Sequence, residues 1–544
     1  MNVRELGKAF AMAAVLLLGL LPGTPAVLAD GTDAGHQRAN TDPVPFMGPV
    51  PEAHCGSGDR TEGGLQGQTT PGERSSGDSK RGYNCNLQLV GRYPGEGAYS
   101  QDGPAYDGDC AYYATDRHTS TQQHHGVTVI DASDPQHPHP TAYLDDTAAA
   151  LDPHETLQTN ERRHLLVVAQ HNGPDFAVYD TSDCRHPVLK ADIKLPGSQA
   201  HMGNFAPDGL TYYVGQKNRG KGGSVYIVDL SDPSHPQQLP AWQYSGDGRP
   251  HEAELNPKGF EPGVPEGTRL YAGQPGLTGN TGSSIGPDGL VIEDVSDYQL
   301  RRPHPQIRII SKLFWKDQGQ AEEMLPVTIK GHPYIISTDE DGGEGGVGGI
   351  RAACARGASP FGFAQIIDVA DETKPKIVAK LMLQVSDPAN CSKLADDPPD
   401  AGGKAPDYSG ERCTADRPDN ATMLACGYRA AGLRVFDIRD PYHPKEVAYW
   451  KPPAVGTEVL PASGSWKAGA DRTVDRIAGW VRWVVAGNGK SHGHGNGAEL
   501  QLWTVSDDNG FQILRFTDSF KQHDKALYEE SLRGLEQVDK SAGS

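Results

Sequence analysis

Positive charge is scarce in this sequence of 544 residues: 50 lysines and arginines stand against 70 aspartates and glutamates, a formal net charge of −20. Nucleic acid and anionic membrane surfaces would be repelled by the average field of such a chain. We therefore expect no nucleic-acid partner, and a cationic or neutral small molecule is easier to accommodate. The same acidity would also serve simply to keep a secreted protein soluble.

A long apolar run is missing from the chain after its N-terminus. At the N-terminus itself, Arg4 and Lys8 precede the apolar residues 9–21, and Val27-Leu28-Ala29 supplies small residues ahead of a cleavage site. These features predict a secretory signal peptide over residues 1–29. Its apolar run is shorter than the roughly 20 residues that span a bilayer. We therefore predict no membrane span and a protein that is secreted or periplasmic.

Closely spaced cysteine pairs are also missing, which speaks against a zinc knuckle or a thioredoxin-type redox motif. In an oxidising compartment scattered cysteines are expected to form disulfides. Sequence does not fix their pairing; a bridge between Cys391 and Cys413, which bracket an insertion rich in Asp, Pro and Gly, is our preferred one. The eight cysteines are Cys55, Cys85, Cys110, Cys184, Cys354, Cys391, Cys413 and Cys426.

Several catalytic motifs are absent from the sequence. It contains no Gly-x-Ser-x-Gly elbow, no Walker-type phosphate loop and no His-Glu-x-x-His pair. The Gly-rich stretch 342–349 follows an acidic cluster that would repel phosphate, so we interpret it as a loop. No complete catalytic motif therefore identifies a reaction.

Glycine and proline are abundant, with 66 and 42 residues, and this favours an all-β fold with many turns. Residues 432–444 read Gly-Leu-Arg-Val-Phe-Asp-Ile-Arg-Asp-Pro-Tyr-His-Pro, and versions of this stretch recur at 126–138 and 225–236. Alternating β-branched and aromatic residues predict a strand, and the Asp-Pro and His-Pro cluster predicts a tight turn into the next strand. The chain is therefore a repeat protein.

Seven such units can be counted, each with four strands, as in the blades of a β-propeller. Six or eight blades also fit the pattern. Residues 86–93 resemble a fourth strand without its own blade, and we expect them to close the ring by completing the last blade. The predicted second strands are 111–115, 165–170, 211–216, 269–273, 334–338, 423–427 and 482–486. The third strands carry Asp131, Asp180, Asp229, Asp294, Asp368, Asp437 and, in the last unit, Thr504.

The chain divides by composition around this repeat region. Residues 30–82 are polar, rich in Gly, Ser, Thr and Pro, and without periodicity, so we predict a mostly disordered arm. The propeller is predicted over 83–522. A C-terminal tail, 523–544, is expected to form a short helix around Leu527, Leu532 and Leu535 before an unstructured end.

The stretch Leu-Arg-Val-Phe-Asp-Ile-Arg-Asp-Pro at 433–441 resembles the repeat of the LVIVD-repeat propeller proteins, and the resemblance covers roughly residues 83–520. It implies the propeller architecture but little about function, because propellers host many unrelated activities. More distantly, the layout is similar to the selenium-binding protein family, whose bacterial members include copper-dependent methanethiol oxidases. This second resemblance implies copper and the oxidation of a small thiol.

The histidines fall into two groups once the repeat is aligned. One group recurs in or beside the turn between third and fourth strands, mostly just before a proline, and we expect it to have a structural role. Its members are His137, His139, His186, His235, His304 and His443.

The second group, His154, His201 and His251, lies at the start of the first strand in three successive units. First strands line the channel of a propeller, so these side chains are expected to converge at the axis. Three imidazoles suit Zn, Cu or non-haem Fe. The next unit places Glu322 and Glu323 at the corresponding position, where they would complete the shell or move a proton, and Cys413 follows in the unit after. Alternatively, the histidines only hydrogen-bond the neighbouring blade or channel water, or bind a substrate directly.

Loops between second and third strands are expected to open on the same face. They carry further histidines and the acidic run 339–341, which with Gly342 offers calcium ligands but lacks the spacing of an EF-hand loop. The loop histidines are His118, His124, His125, His171, His492 and His494.

Two functions remain open at this stage. The first is a metal-dependent propeller enzyme, an oxidoreductase acting on a small molecule, with copper favoured over zinc; zinc would instead suit hydrolysis by a metal-bound hydroxide. The second is a non-catalytic propeller that scaffolds proteins at the cell surface or in the periplasm.

Overall fold

The computed structural model describes residues 45–115, 121–216, 224–243, 256–260, 267–274, 288–340, 342, 349–394, 407–455, 460–464, 475–487 and 497–542. Its strands are short, and several second and third strands are buried along their whole length; in Val127–Asp131 every residue is buried. Each blade is packed between two others, so both faces of a strand require apolar side chains. This is why the recurring stretches are rich in Val, Ile, Tyr and Phe.

The first half of the chain contributes the strands β1 (Tyr83–Cys85), β2 (Leu87–Tyr93), β3 (Ala105–Asp107), β4 (Cys110–Ala114), β5 (Val127–Asp131), β6 (His139–Leu144), β7 (Gln158–Asn160), β8 (Leu165–Ala169), β9 (Asp175–Asp180), β10 (Val188–Lys194), β11 (Ala200–Phe205), β12 (Thr211–Gln216), β13 (Ser224–Asp229), β14 (Gln237–Gln238) and β15 (Trp242–Gln243).

The second half contributes β16 (Asn256–Phe260), β17 (Arg269–Gln274), β18 (Asp288–Asp294), β19 (Arg308–Trp315), β20 (Ala321–Ile329), β21 (His332–Asp339), β22 (Ala364–Asp368), β23 (Lys376–Leu381), β24 (Arg412–Ala415), β25 (Met423–Gly427), β26 (Leu433–Asp437), β27 (Lys445–Lys451), β28 (Arg482–Ala486), β29 (Glu499–Ser506) and β30 (Gly510–Phe516).

These strands form seven antiparallel sheets, which confirms the all-β, seven-bladed propeller. We number the blades along the chain: β3–β6, β7–β10, β11–β15, β16–β19, β20–β23, β24–β27 and β28–β30 make blades 1 to 7. From blade 1 to blade 7, the first strand of each blade lies on the inside and contacts the first strand of the next blade along the chain. Side chains at the start of these inner strands therefore meet near the axis.

The turn after each third strand explains the repeated Asp. In the first six blades the carboxylate at the end of that strand accepts the backbone N–H two residues later, at 2.8–3.1 Å. A side chain that closes its own turn in this way stabilises the exit from the strand. In four blades the following Asp-Pro turn adds a His Nδ1 that lies 2.9–3.1 Å from the Asp three residues earlier. The structural role of the turn histidines His137, His186, His235 and His443 is confirmed.

The last blade differs from the prediction in its register. Residues 482–486 form its innermost strand and not its second, because β29 and then β30 follow outward from β28. Thr504 accordingly lies in the second strand. The reason is the tight connection 507–509 between β29 and β30, which makes residues 510–516 a third strand. The predicted ring closure is confirmed: β2 pairs with β30 as the fourth strand.

Residues 45–82 are not the disordered arm that composition predicted. Phe46 and Pro49 form bridges to the outer edge of blade 5, at Ala379 and Met382. The α-helix α1 (Pro71–Ser76) begins with a capping box between Thr70 and Glu73, and a 3-10 helix follows at Asp78–Arg81. β1 then adds a fifth strand to blade 6. The segment thus covers the edges of consecutive blades, which removes pairing sites for other chains. Residues 30–44 lie outside the described part.

A buried charge network holds this segment on blade 6. Arg434 donates from both terminal nitrogens to the Glu62 carboxylate, at 3.0 and 2.8 Å, and also to Glu446 at 3.0 Å. Lys451 Nζ lies 3.3 Å from Glu62 and donates to the carbonyls of Gly67 and Gln68. Burial lowers the pKa of Lys451 to about 8. Apolar contacts of Val50 and Leu65 and the Cys55–Cys85 disulfide also hold the segment, but these residues are too widely spaced in a polar sequence to show a periodic pattern.

All eight cysteines form disulfides, and the predicted Cys391–Cys413 bridge is wrong. Cys413 in β24 lies directly opposite Cys426 in β25 and bonds to it. Cys391 bonds to Cys354, and both lie outside the strands. Register within a sheet, which the spacing of cysteines does not reveal, decided the pairing. The other bridges are Cys55–Cys85 and Cys110–Cys184.

Helices are few and peripheral. The predicted C-terminal helix exists: α5 (Asp518–His523) starts at the N-cap Thr517, and α6 (Lys525–Ala542) packs Leu527 and Leu535 against blade 7. Helix α6 is longer than the short helix predicted. None of the described helices has the length and apolarity of a membrane-spanning segment. The described residues also contain α2 (Ala148–Leu151), α3 (Ser296–Gln299) and α4 (Gly349–Ala355), with 3-10 helices at Gln384–Ser386 and Pro388–Leu394.

Candidate functional site

Two of the three predicted axial histidines meet in the structure. His154 precedes the inner strand of blade 2 and is buried, and His201 lies in the inner strand of blade 3; their ring centroids are 4.8 Å apart. Each of them, together with Glu155, offers one ligand atom, and these atoms lie within 4.8 Å of one another. His251 lies outside the described residues. The arrangement therefore brings together two imidazoles and one carboxylate.

Glu155 is the central carboxylate of this group. It is fully buried, and its oxygens lie 3.9 Å from Nδ1 of His154 and 3.9 Å from Nδ1 of His201. Glu155 was not among the residues that the sequence predicted for the site. In an extended strand, neighbouring side chains point to opposite faces. His154, however, has a φ of +47°, and this left-handed residue turns both side chains toward the axis.

His171 is the third imidazole of the cluster, although sequence placed it only in a surrounding loop. It follows β8 and is buried, and its ring stacks on His154 with centroids 3.9 Å apart and planes 15° from parallel. Its Nδ1–H donates to the carbonyl of Ala200 at 2.9 Å, which fixes the proton on Nδ1 in the neutral ring. His154 has the opposite arrangement: its Nδ1 accepts the Glu155 amide at 2.9 Å.

Arg412 crosses the centre of the propeller to reach this group. It lies at the start of the inner strand of blade 6, is fully buried, and places Nη2 2.6 Å from Glu155 of blade 2. The same Nη2 is 3.3 Å from Glu322 of blade 5. Burial alone would lower the pKa of Arg412, but the surrounding carboxylates, Glu155 and Glu322 first, raise it. Its guanidinium is therefore a permanent positive charge at the axis, and sequence analysis missed it.

The two predicted glutamates have different surroundings. Glu322 faces Arg412 and accepts a hydrogen bond from Gln320 at 3.1 Å. Glu323 accepts the backbone N–H of Cys413 at 2.6 Å and the indole N–H of Trp480 at 2.8 Å. Glu323 thereby ties blade 5 to blades 6 and 7. The sulfur of Cys413 is held in its disulfide.

The acidic run after β21 forms a second charged layer. The Asp339 carboxylate accepts backbone N–H groups from Gly319, Gln320 and Gly342, at 3.0–3.2 Å. Glu340 accepts the amide of Gln101 at 3.0 Å and pairs with Arg429. Protein donors thus occupy the oxygens that the calcium hypothesis invoked, and Asp341 lies outside the described residues.

Carboxylates outnumber guanidinium groups at the axis. Among the described residues, Arg412 contacts the two carboxylates of Glu155 and Glu322, while Arg429 contacts the three of Glu340, Asp407 and Glu411. Burial raises the pKa of Glu411, whereas Arg429 and then Arg476 outweigh the burial of Asp407 and lower its pKa. A buried excess of negative charge is costly unless protons or a bound cation balance it.

The other loop histidines do not join the cluster in the described part of the chain. His124 stacks on Tyr143 and lies 3.1 Å from Glu96, and His125 contacts Gln122. His118, His492 and His494 lie outside the described residues.

Comparison with known proteins gives one family match and one similar solved structure. The family model of the LVIVD repeat matches residues 213–239, which span the second and third strands of blade 3 and the turn after them. The crystal structure of a protein from Lactobacillus plantarum is similar, with a TM-score of 0.41 and 10% identity over 65% of this chain and 87% of that chain. A search of curated proteins gives no match. The chain is therefore a seven-bladed β-propeller whose third blade carries a match to the LVIVD repeat.

Proposed function

We propose that this LVIVD-type propeller binds a transition-metal ion at its axis through His154, Glu155 and His201, and that it acts as an oxidoreductase on a small molecule there. The observation that carries the proposal is the convergence of one ligand atom from each of these residues within 4.8 Å, in the interior of the ring. Ligands of a tetrahedral ion with bonds of about 2.1 Å lie roughly 3.4 Å apart. Each imidazole Nδ1 lies 3.9 Å from a different oxygen of Glu155, Oε1 for His154 and Oε2 for His201, which is close to that spacing for a carboxylate that offers both oxygens.

Charge supports the same proposal. At Glu155 the single guanidinium group of Arg412 serves two buried carboxylates, Glu155 and Glu322, and a divalent ion beside Glu155 would supply further positive charge there. A metal bound at Nδ1 of His154 would take the place of the Glu155 amide contact. Two nitrogens and one oxygen suit copper or zinc. His251, in the next blade, stays a predicted third nitrogen ligand.

Copper, when bound, would supply one-electron chemistry with dioxygen as the acceptor, which agrees with the resemblance to copper-dependent thiol oxidases. Zinc would supply a Lewis acid instead. Of the two histidines, His201 is the more exposed, with 12% of its side chain accessible, so a small molecule would approach from its side. Glu322, which shares the Nη2 group of Arg412 with Glu155, is the further carboxylate that we propose for moving a proton. The disulfides fit an oxidising compartment, and a secreted or periplasmic location remains our prediction.

Replacing His154 or His201 with alanine, or Glu155 with glutamine, is expected to lower the affinity for Cu²⁺ or Zn²⁺ by at least about 100-fold, the upper end of what loss of a ligand's supporting partner costs, because each change removes or neutralises a ligand itself. Metal content by mass spectrometry and competition with a chromophoric chelator measure this loss. His443→Ala is the matched control, since His443 is an exposed turn histidine paired with Asp440 and should leave binding unchanged. Wild-type protein that takes up no stoichiometric metal would refute the proposal.

A second measurement addresses the reaction. Copper-loaded protein is expected to consume dioxygen in the presence of a small thiol, and His154→Ala protein should not. If zinc binds and no oxygen is consumed, the oxidoreductase assignment fails while the metal site stands.

A further inference from the structure

We infer that His171 is the positioning residue of this centre: it holds His154 and His201 in their mutual arrangement without being a ligand itself. The inference rests on the proposed function. It starts from the fact that His171 is 1% exposed and contacts both histidine-bearing segments, although it belongs to neither.

On the first side, His171 fixes the segment that carries His154. The two rings stack with centroids 3.9 Å apart. The backbone N–H of His171 donates to the carbonyl of Asp152 at 2.9 Å, and the next residue, Asn172, donates to the Asp152 carboxylate from its backbone and its side chain. Because His154 has a left-handed backbone, this segment needs support from outside to keep its ring in place.

On the second side, His171 fixes the strand that carries His201. Its Nδ1–H donates to the carbonyl of Ala200, the residue immediately before His201. The backbone N–H of Ala200 in turn donates to the backbone carbonyl of Gln170 at 3.2 Å. A shift of His171 would therefore move blade 2 and blade 3 ligands relative to each other.

The stacking also argues against His171 as a third ligand. Rings that lie parallel at 3.9 Å do not direct their nitrogens to a common point, and His171 is not among the residues whose ligand atoms converge. Histidine suits the supporting role because it combines a flat ring with an N–H donor. Partners that orient metal-binding imidazoles change metal affinity by about 10- to 100-fold when lost.

Three substitutions separate the stacking of the His171 ring on His154 from the hydrogen bond that its Nδ1–H donates to Ala200. His171→Asn keeps an N–H donor near the position of Nδ1 and loses the ring, His171→Phe keeps the ring and loses the donor, and His171→Ala loses both. We expect His171→Ala to weaken Zn²⁺ binding by about 10- to 100-fold, and the Asn and Phe variants to recover part of the loss. His186→Ala, an exposed turn histidine, is the control.

Cu²⁺ electron paramagnetic resonance of the full-length protein supplies the decisive readout. A positioning residue leaves the number of nitrogen ligands unchanged in His171→Asn and His171→Phe while shifting the copper hyperfine coupling. One nitrogen fewer would make His171 a ligand and overturn the inference. The inference would also be overturned if all three His171 variants kept the wild-type affinity and spectrum. In that case, loss of metal in His154→Ala would show that the proposed metal site stands without a role for His171. Should His171→Ala fail to fold, the other two variants decide.

Discussion

Replacing Arg434 with methionine is expected to lower the free energy of unfolding by about 3 to 5 kcal/mol, the usual cost of removing one partner from a buried ion pair. Arg434 is fully buried and is shared by Glu62 and Glu446, and its guanidinium lies over the Tyr449 ring. Without it, two buried carboxylates would face each other with Lys451 as their remaining cation. Urea denaturation measures the loss, and faster protease cleavage within residues 45–82 would report release of the N-terminal segment.

The pH dependence of this effect has a definite sign. Burial opposes the ionisation of Glu62, but Arg434 and Lys451 outweigh it and hold the pKa of Glu62 below its ordinary value. That contribution to stability is present above a pH of about 4.3 and is lost as the pH falls further. The difference between wild type and Arg434→Met should therefore shrink in acid. Arg81→Met is the matched control on the same segment, because Arg81 is 65% exposed and its ion pair should contribute less than about 1 kcal/mol. Equal losses in both variants would contradict the prediction.

Raising the pH from about 4.3 to about 8 is expected to destabilise the protein through one residue, Glu293, by about 4 to 5 kcal/mol in total. Glu293 lies in β18 and is fully buried, and neither carboxylate oxygen has a hydrogen-bond partner among the residues that the structure describes. Burial raises its pKa to about 8, although Lys312 acts in the opposite direction. A raised pKa stabilises the fold while the group is protonated, so this contribution is lost as the pH rises through about 8.

The variant Glu293→Gln keeps the shape of the protonated carboxyl and cannot ionise. Its stability should therefore be close to wild type at pH 5 and exceed it at pH 8, as measured by urea denaturation at both values. Strand alternation places Glu293 on the face of β18 that carries Val291 and Val295, which pack between blades 3 and 4 near Tyr213. Glu161→Gln serves as the control, since Glu161 is 51% exposed. An unchanged pH dependence in Glu293→Gln would show that this carboxyl stays charged.

The architecture followed from the sequence because the blade signal is local. Alternating apolar residues, an Asp that closes its own turn and an Asp-Pro turn lie within about 15 residues of one another, and each acts through its immediate neighbours. The last blade was misaligned because its third strand does not end in the Asp and Asp-Pro turn of the other blades. The prediction took the strand around Thr504 as the third strand, whereas residues 510–516 form it.

The site followed from the sequence only in part. His154 and His201 could be found because they hold equivalent positions in successive repeats, and equivalent positions converge at the axis of a ring. Arg412 occupies no such position, and its contact with Glu155 joins residues 257 positions apart from opposite sides of the ring. His171 was predicted only to lie in a loop, because it follows a second strand. Its position in the sequence does not show that its ring stacks on the ring of His154.

The sequence by itself determined the repeat, its turn chemistry, the seven blades and the closing of the ring by an N-terminal strand, since each depends on patterns within one unit. Only the tertiary structure decided the disulfide partners, the docking of residues 45–82 through Arg434, and the charge excess around Glu155. These features depend on which residues meet across blades. The physical reason is that charge and burial act through space, and ring closure brings together side chains that no spacing along the chain relates.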